Sequence, residues 1–196
     1  MAASLSEEEL WHLFIAGDSA AFESLVDTTY ALMFQYGSKF TKNKDLVKDS
    51  IQDVFLNIWE KRQALDQSIP ARPYLLSSLR RRIHRKVKYD FVDFHSELPE
   101  VLFETVFTIE DSLIAREQNL YLTRKITALL NDLPERQKEI VYLRFFQDLD
   151  RNEIAEVMQI TPQSVSNFLQ KSFTQLRKNW LSIAYISLMA VFSWFL

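Results

Sequence analysis

Between Leu133 and Lys178 the chain reads LPERQKEIVYLRFFQDLDRNEIAEVMQITPQSVSNFLQKSFTQLRK, a run that its capping residues and prolines divide into three helices. Pro134 stands in a first turn, where a missing N–H is harmless. Ile140, Val141, Leu143, Phe145 and Phe146 then form a wide apolar face. Asp150 and Glu153 have the spacing of a capping box, and Leu149 and Ile154 that of a hydrophobic staple, which predicts a short helix over Arg151 to Met158. Thr161 is the next N-cap, with Pro162 at the first helical position. The last helix is predicted to run to at least Lys178, with Val165, Phe168, Leu169, Phe173 and Leu176 on its apolar side. Two helices about such a turn fit an ordinary helical hairpin or a DNA-reading helix-turn-helix. Charge favours the second, because Val157 to Lys178 holds three basic residues and no acid. The exposed candidates are Gln163, Ser164, Ser166, Asn167, Gln170 and Lys171. Gln and Asn pair bidentately with base edges, and Lys contacts phosphate or guanine.

The rest of the chain is as poor in strand signals. Two glycines and five prolines in 196 residues, with helix formers dominant, predict an all-α fold of two small helical domains. Gly17 and Gly37 are isolated, which leaves no phosphate loop or dinucleotide fingerprint. There is no HExxH or GxSxG motif, and His12, His84 and His95 form no group. Cysteine is absent. No catalytic residue, metal site or cofactor is expected, and the chain is not expected to be an enzyme. Met1 to Leu10 is polar and acidic, unlike a secretory signal.

A net charge of −3 conceals a sharp segregation. Arg80 to Lys88 (RRRIHRKVK) carries six basic residues and no acid, whereas Tyr89 to Ser112 carries seven acids and no Lys or Arg. The switch marks a domain boundary. It gives an N-terminal domain over 4–89, an acidic linker over 90–111, a helix-turn-helix domain over 112–179 and an apolar tail over 180–196. Phe91, Phe94, Leu102, Phe103, Val106 and Phe107 give the linker apolar anchors.

Four helices are expected in the N-terminal domain. Ser6 with Glu7, Glu8 and Glu9 opens the first, which Gly17 ends, and Asp18 caps the second, which closes near Gly37. Asn43 or Asp45 opens the third, with Leu46, Val47, Ile51, Val54, Phe55, Ile58 and Trp59 at helical spacing. Pro70 and Pro73 open the fourth, which carries the basic run.

In order along the chain come GDSAAFESL, DSIQDVFLNIW, PARPYLLSSLRRRI, the acidic linker, and LPERQKEIVYLRFF before the helix-turn-helix. This arrangement resembles an extracytoplasmic-function sigma factor, the minimal two-domain form of the bacterial sigma-70 family. The resemblance covers about Leu5 to Lys178. It implies a factor that binds core RNA polymerase through the β′ clamp and β flap, directs it to promoters and assists DNA melting.

By motif, the Ile51 to Trp59 helix resembles the part that grips the clamp coiled coil. Asp49, Gln52, Asp53, Phe55 and Asn57 are its polymerase-binding candidates, with Phe55 and Trp59 readable as interface or core. The Arg72 to Lys88 helix resembles the segment that opens and reads the −10 element. Its candidates are Tyr74, Arg80, Arg81, Arg82, Arg85, Lys86 and Lys88. Basic grooves with aromatic platforms hold melted strands in this way, and Tyr74 is readable as a platform or as core. His84 reads as one more polar residue on the basic face. The helix-turn-helix candidates named above are those for the −35 element.

Two departures stand out. Arg81 falls where family members often carry a small polar residue, and Ser166, Asn167 and Phe168 fall where many are basic. An anti-sigma protein, or an accessory protein that helps choose the DNA site, is therefore among the partners to consider. In the family the linker threads towards the polymerase cleft, where its acids would mimic nucleic acid or serve only solubility.

Trp180 to Leu196 (WLSIAYISLMAVFSWFL) lacks any charged side chain. As a helix it would span roughly 25 Å, the short limit for a hydrocarbon core of about 30 Å. Arg177 and Lys178 precede it, and Trp180 and Trp194 flank it, as in a membrane tail anchor. A helix packed on the C-terminal domain and a surface for a protein partner are the alternatives.

Overall fold

A computed structural model describes the backbone of residues 5–92 and 120–194 and the side chains of residues 5–87 and 124–179. All the regular structure among them is helical, as the sequence predicts. The chain divides into two compact units, Met1–Glu104 with Asn152–Ile160, and Thr105–Arg151 with Thr161–Leu196.

The first unit is built on α1 (Glu7–Ile15), α2 (Ser19–Gly37), α3 (Lys44–Lys61) and α4 (Ala71–Val92), with a 3-10 turn at Arg62–Ala64. Each start is fixed by a side chain. Ser6 and Glu9 complete a reciprocal capping box, with the Ser6 N–H donating to Glu9 Oε2 at 2.7 Å and the Glu9 N–H to Ser6 Oγ at 3.3 Å. Gly17 takes φ 104°, which turns the chain into Asp18. Asp18 Oδ1 then accepts from the Ala20 and Ala21 N–H groups at 2.8 and 3.0 Å. Asn43, rather than Asp45, caps α3, accepting from the N–H groups of Asp45 and Leu46 at 3.1 and 3.0 Å.

α2 packs against α1, α3 and α4. Trp11, Phe14, Leu25, Met33, Tyr36, Ile51, Ile58, Leu75, Leu76, Leu79 and Ile83 are fully buried between the helices. Trp11 and Phe14 lie 5.4 Å apart by ring centroid, Phe14 and Phe22 5.3 Å, and Phe22 and Trp59 4.9 Å. Offset contacts of this kind add to simple burial. Arg72 Nη2 reaches Glu7 Oε2 at 2.8 Å and ties α4 to α1.

α4 continues to Val92, so the charge switch after Lys88 falls inside the helix and not at its end. Residues 93–119, which include most of the linker, lie outside the described residues.

The C-terminal sequence forms α5 (Leu120–Asn131), α6 (Glu135–Phe145), α7 (Arg151–Met158) and α8 (Pro162–Trp194). α7 has the limits that its capping and staple spacing predict, and the staple residues Leu149 and Ile154 are buried. In the second unit α8 packs on α6 and α5. Pro134 is the N-cap of α6, where its missing N–H leaves no intrahelical bond unmade. Thr161 Oγ1 accepts the Ser164 N–H at 3.2 Å, the predicted cap of α8.

Two aromatic residues depart from expectation. Phe145 is 57% exposed and Phe173 48% exposed, and they meet edge to face at 6.0 Å. Phe145 is the last residue of α6, past the buried stretch Glu139 to Leu143. On α8 the buried position falls to Ser172, whose hydroxyl bonds Gln137 Oε1 at 3.1 Å and the Phe168 carbonyl at 2.9 Å. Phe173, about 100° further round the helix, is left outside.

α8 continues as helix to Trp194, and the side chains from residue 180 onward lie outside the described residues. Among the described residues, no helix is long and apolar enough to cross a membrane. The reading of the tail as an anchor falls on side chains outside the described residues.

The bend after α7 carries strain. Gln159 sits at φ 54°, a left-handed conformation that costs a non-glycine L-residue roughly 1–2 kcal/mol. Gln159→Gly is expected to stabilise the chain by about 1 kcal/mol, read as a higher urea midpoint. An unchanged or lower midpoint would show that the Gln159 side chain compensates for the strain.

Candidate polymerase and nucleic-acid interfaces

α3 presents two exposed edges, and they differ in chemistry. Asp49 and Gln52 are exposed, and between their rows stands Leu56, 54% exposed. Beside them an open groove of about 650 Å³ runs between α2 and α3, lined by Phe22, Val26, Tyr30, Gln52, Leu56 and Trp59 among others. The other edge carries Asp53 and Asn57 and faces α4.

The five polymerase candidates on α3 therefore separate. Gln52 lines the groove, whereas Asp49 is exposed one turn before Asp53 and does not line it. Phe55 is only 7% exposed and meets the edge of Phe22 at 6.1 Å, so it is a core residue. Asp53 is drawn into the basic helix: its Oδ2 accepts from Arg82 Nη1 and from Lys86 Nζ, each at 2.9 Å. The hydrogen bond from Lys86 is the main reason its carboxyl is held below the usual carboxylate range. Partial burial opposes that shift, and the charges of Lys86 and Arg82 reinforce it. Asn57 lines a polar pocket of about 220 Å³ with Lys61, Ser78, Arg81, Arg82 and Arg85. Sequence reasoning missed Leu56 and Lys61. Leu56 falls outside the i, i+3, i+4 apolar rows of α3, and that was the available signal.

On α4 the basic residues are not equivalent. Arg81 and Arg85 are exposed, and Arg81 Nη2 donates to Ser78 Oγ at 3.3 Å. Arg82 and Lys86 are held by Asp53. Arg80 is half-buried, and the Lys88 side chain lies outside the described residues. Tyr74 is half-buried with its ring 5.7 Å from Trp11. That contact sets Tyr74 in the packing between α4 and α1 and takes up ring surface that a base platform would need.

His84 departs from expectation. Its ring meets Phe40 edge to face at 5.2 Å, and its Nε2 is buried without a hydrogen-bond partner. Burial first, and the Arg80 charge second, push its pKa down to about 4 from an ordinary 6.5. The unfolded chain then takes up this proton below about pH 6.5, while the folded chain resists until about pH 4. His84 thus contributes stability that is present above pH 6.5 and is lost as the pH falls to about 4. Denaturant melts are expected to show this loss in the native chain and a flatter profile in His84→Phe. Equal slopes for the two would contradict it.

On α8, Gln163, Asn167, Gln170 and Lys171 are exposed. Gln163 Nε2 donates to Asn167 Oδ1 at 3.1 Å across one turn. The Ser164 and Ser166 hydroxyls are engaged locally, Ser164 with Thr161 Oγ1 at 2.9 Å and Ser166 with the Pro162 carbonyl at 3.2 Å. The outward-facing surface is completed by an open concavity of about 520 Å³ lined by Asn167, Gln170, Lys171, Thr174, Gln175 and Lys178. Among the described residues no group of His, Asp and Glu could hold a metal ion.

These features define a nucleic-acid-binding protein with a basic helix in one unit and a helix-turn-helix further along the chain. Residues 25–90 match the model of sigma-70 region 2, and residues 123–176 match that of sigma-70 region 4. The two matches take in well over half of the chain, which belongs to the sigma-70 family. It is similar to the RNA polymerase sigma factor SigV of Bacillus subtilis, at 25% identity over 148 residues, 76% of this chain and 81% of that relative.

Two solved structures share the fold. One is CnrH in complex with the cytosolic domain of CnrY: 18% identity, TM-score 0.59, covering 90% of this chain and 97% of that one. The other is the sigma factor RpoE in complex with the anti-sigma factor NepR from Bartonella quintana: 16% identity, TM-score 0.55, covering 80% and 94%. The chain is a sigma factor that directs RNA polymerase to promoters, and as such it acts where the polymerase is, in the cytoplasm.

Proposed function

We propose that this sigma factor divides its work between the two edges of α3 and the exposed face of α8. The edge with Gln52 and Leu56, together with the exposed Asp49 and the α2–α3 groove, docks the β′ clamp of core polymerase. Exposed apolar surface beside a groove and rimmed by polar groups is what a partner helix requires. The α4 cations, led by Arg81 and Arg85, hold the −10 region as the strands part, since phosphate contacts position a strand without reading it. Gln163, Asn167, Gln170 and Lys171 of α8 contact the −35 element, and the C-terminal unit docks the β flap. The polymerase supplies the chemistry, and this chain supplies no catalytic group.

The observation that carries this division is that Gln52 and Leu56 line the α2–α3 groove, while Asp53 is turned to the basic helix. Arg81→Gln with Arg85→Gln is expected to leave core binding intact and to reduce promoter opening, followed by permanganate footprinting of melted thymines. Equal loss of core binding and opening would contradict the division.

A protein that covers the α3 groove edge would compete with polymerase. An anti-sigma partner is proposed for that surface; one structural relative, RpoE, is in complex with the anti-sigma factor NepR. The sparse charge of the α8 face favours an accessory protein in choosing the site, because only Lys171 and Lys178 in its concavity are cationic.

A further inference from the structure

One acid of α3 reaches into the cations of α4. Arg82 and Lys86 are four residues apart and so lie on one face of the helix, and the single oxygen Oδ2 of Asp53 bonds both at 2.9 Å. The three side chains stay 34%, 34% and 36% exposed. Ion pairs this open to water add little to fold stability. Their larger effect is on the field of the basic helix, because they cancel part of the charge that a nucleic-acid strand would meet. Arg81 and Arg85, lining the neighbouring polar pocket, make no ion pair among the described residues.

We propose that Asp53 is an internal stand-in for nucleic-acid phosphate, holding Arg82 and Lys86 in the free chain and yielding them only when a strand's phosphates displace it. The proposal rests on the reading of α4 as a DNA-binding helix. The exchange is like for like, one anionic oxygen donor set replacing another on the same guanidinium and ammonium. Arg81 and Arg85 make the first contacts, and Arg82 and Lys86 join once the carboxylate gives way. Without polymerase the chain then binds nucleic acid more weakly, and with less salt dependence, than its α4 cations would otherwise allow.

The test uses the full chain without polymerase and a fluorescein-labelled oligothymidylate, with anisotropy read over a series of KCl concentrations. Asp53→Asn is expected to bind roughly two- to thirtyfold more tightly at low salt, the range that two partly exposed ion pairs would release. Its log–log salt slope is expected to steepen by up to about 1.4, from two freed cations on a single strand. Asp53→Glu, which keeps the carboxylate, is expected to stay near the parent. Arg85→Gln is expected to bind more weakly with a shallower slope. If Arg85→Gln changes nothing, the reading of α4 as a nucleic-acid helix fails, and the proposal with it. If Arg85→Gln weakens binding while Asp53→Asn is unchanged or weaker, the stand-in alone is overturned. Asp53→Glu tightening as much as Asp53→Asn would overturn it too, since the charge would not be the cause.

Discussion

Leu56→Asp is expected to weaken binding of core RNA polymerase by at least about thirtyfold, the loss typical of an interface hot spot, while leaving the melting of the chain unchanged. Leu56 is 54% exposed, so its removal takes little from the core. It lines the α2–α3 groove with Gln52, where an apolar side chain open to water has no reason within the bundle. A carboxylate there would be desolvated without a partner on docking. Its neighbour Ile58 is the control for stability: at 0% exposure, Ile58→Ala should cost about 2–5 kcal/mol of fold stability. Core-binding affinity by fluorescence titration and urea melts of both variants separate the two effects. Leu56→Asp binding as the parent does would remove Leu56 from the interface.

Gly37→Ala is expected to destabilise the α1–α4 bundle by about 1–3 kcal/mol, although alanine is the better helix former. A Cβ at Gly37 would lie 2.8 Å from Val47 Cγ1, 3.1 Å from Ile83 Cδ1 and 3.4 Å from Leu79 Cδ2. α2 therefore meets α3 and α4 at a point where only glycine fits. Val47 is β-branched and on a helix, so it cannot swing aside. The alanine gains about 0.5–1 kcal/mol of helix propensity, less than overpacking is expected to cost. Gly17→Ala makes the contrast: nothing lies within 4 Å of its added Cβ, but φ is 104°. Its cost is backbone strain alone, roughly 1–2 kcal/mol. Urea midpoints rank the pair, and a Gly37→Ala chain as stable as the parent would show that the crossing adjusts.

The parts of this structure that were legible in the sequence are those set by near neighbours. Ser6 with Glu9, Asp18, and Thr161 before Pro162 each act within four residues, and each cap is found where its residue types place it. The all-helical class and the limits of α7 follow from the same local rules. What was not legible depends on partners far along the chain. Asp53 reads as a free acid on α3 until Arg82, 29 residues later, is seen beside it. His84 sits in a run of cations, and only the packing of α4 sets its ring against Phe40. Phe145 and Phe173 continue apolar patterns but fall just outside the buried arc, while Ser172 takes the inside position through a bond to Gln137.

At the site, the sequence names candidate residues but not how the fold groups them. Five α3 candidates read as one polymerase surface, yet they face the groove, the core and the basic helix in turn. A one-residue step along a helix turns a side chain by about 100°, and helical spacing alone does not say which of two exposed arcs meets a neighbour. Leu56 was overlooked for the same reason, since an apolar residue off the main row reads as noise until the row is seen to be buried.

This chain confers promoter specificity on RNA polymerase. The most direct measurement adds the purified chain to sigma-free core polymerase with a pooled promoter library and sequences the 5′ ends of the transcripts. Transcripts are expected to start at a shared promoter class, to depend on the chain, and to disappear with Leu56→Asp. A chain that forms no complex with core, or whose addition leaves the transcript starts unchanged, would contradict that role.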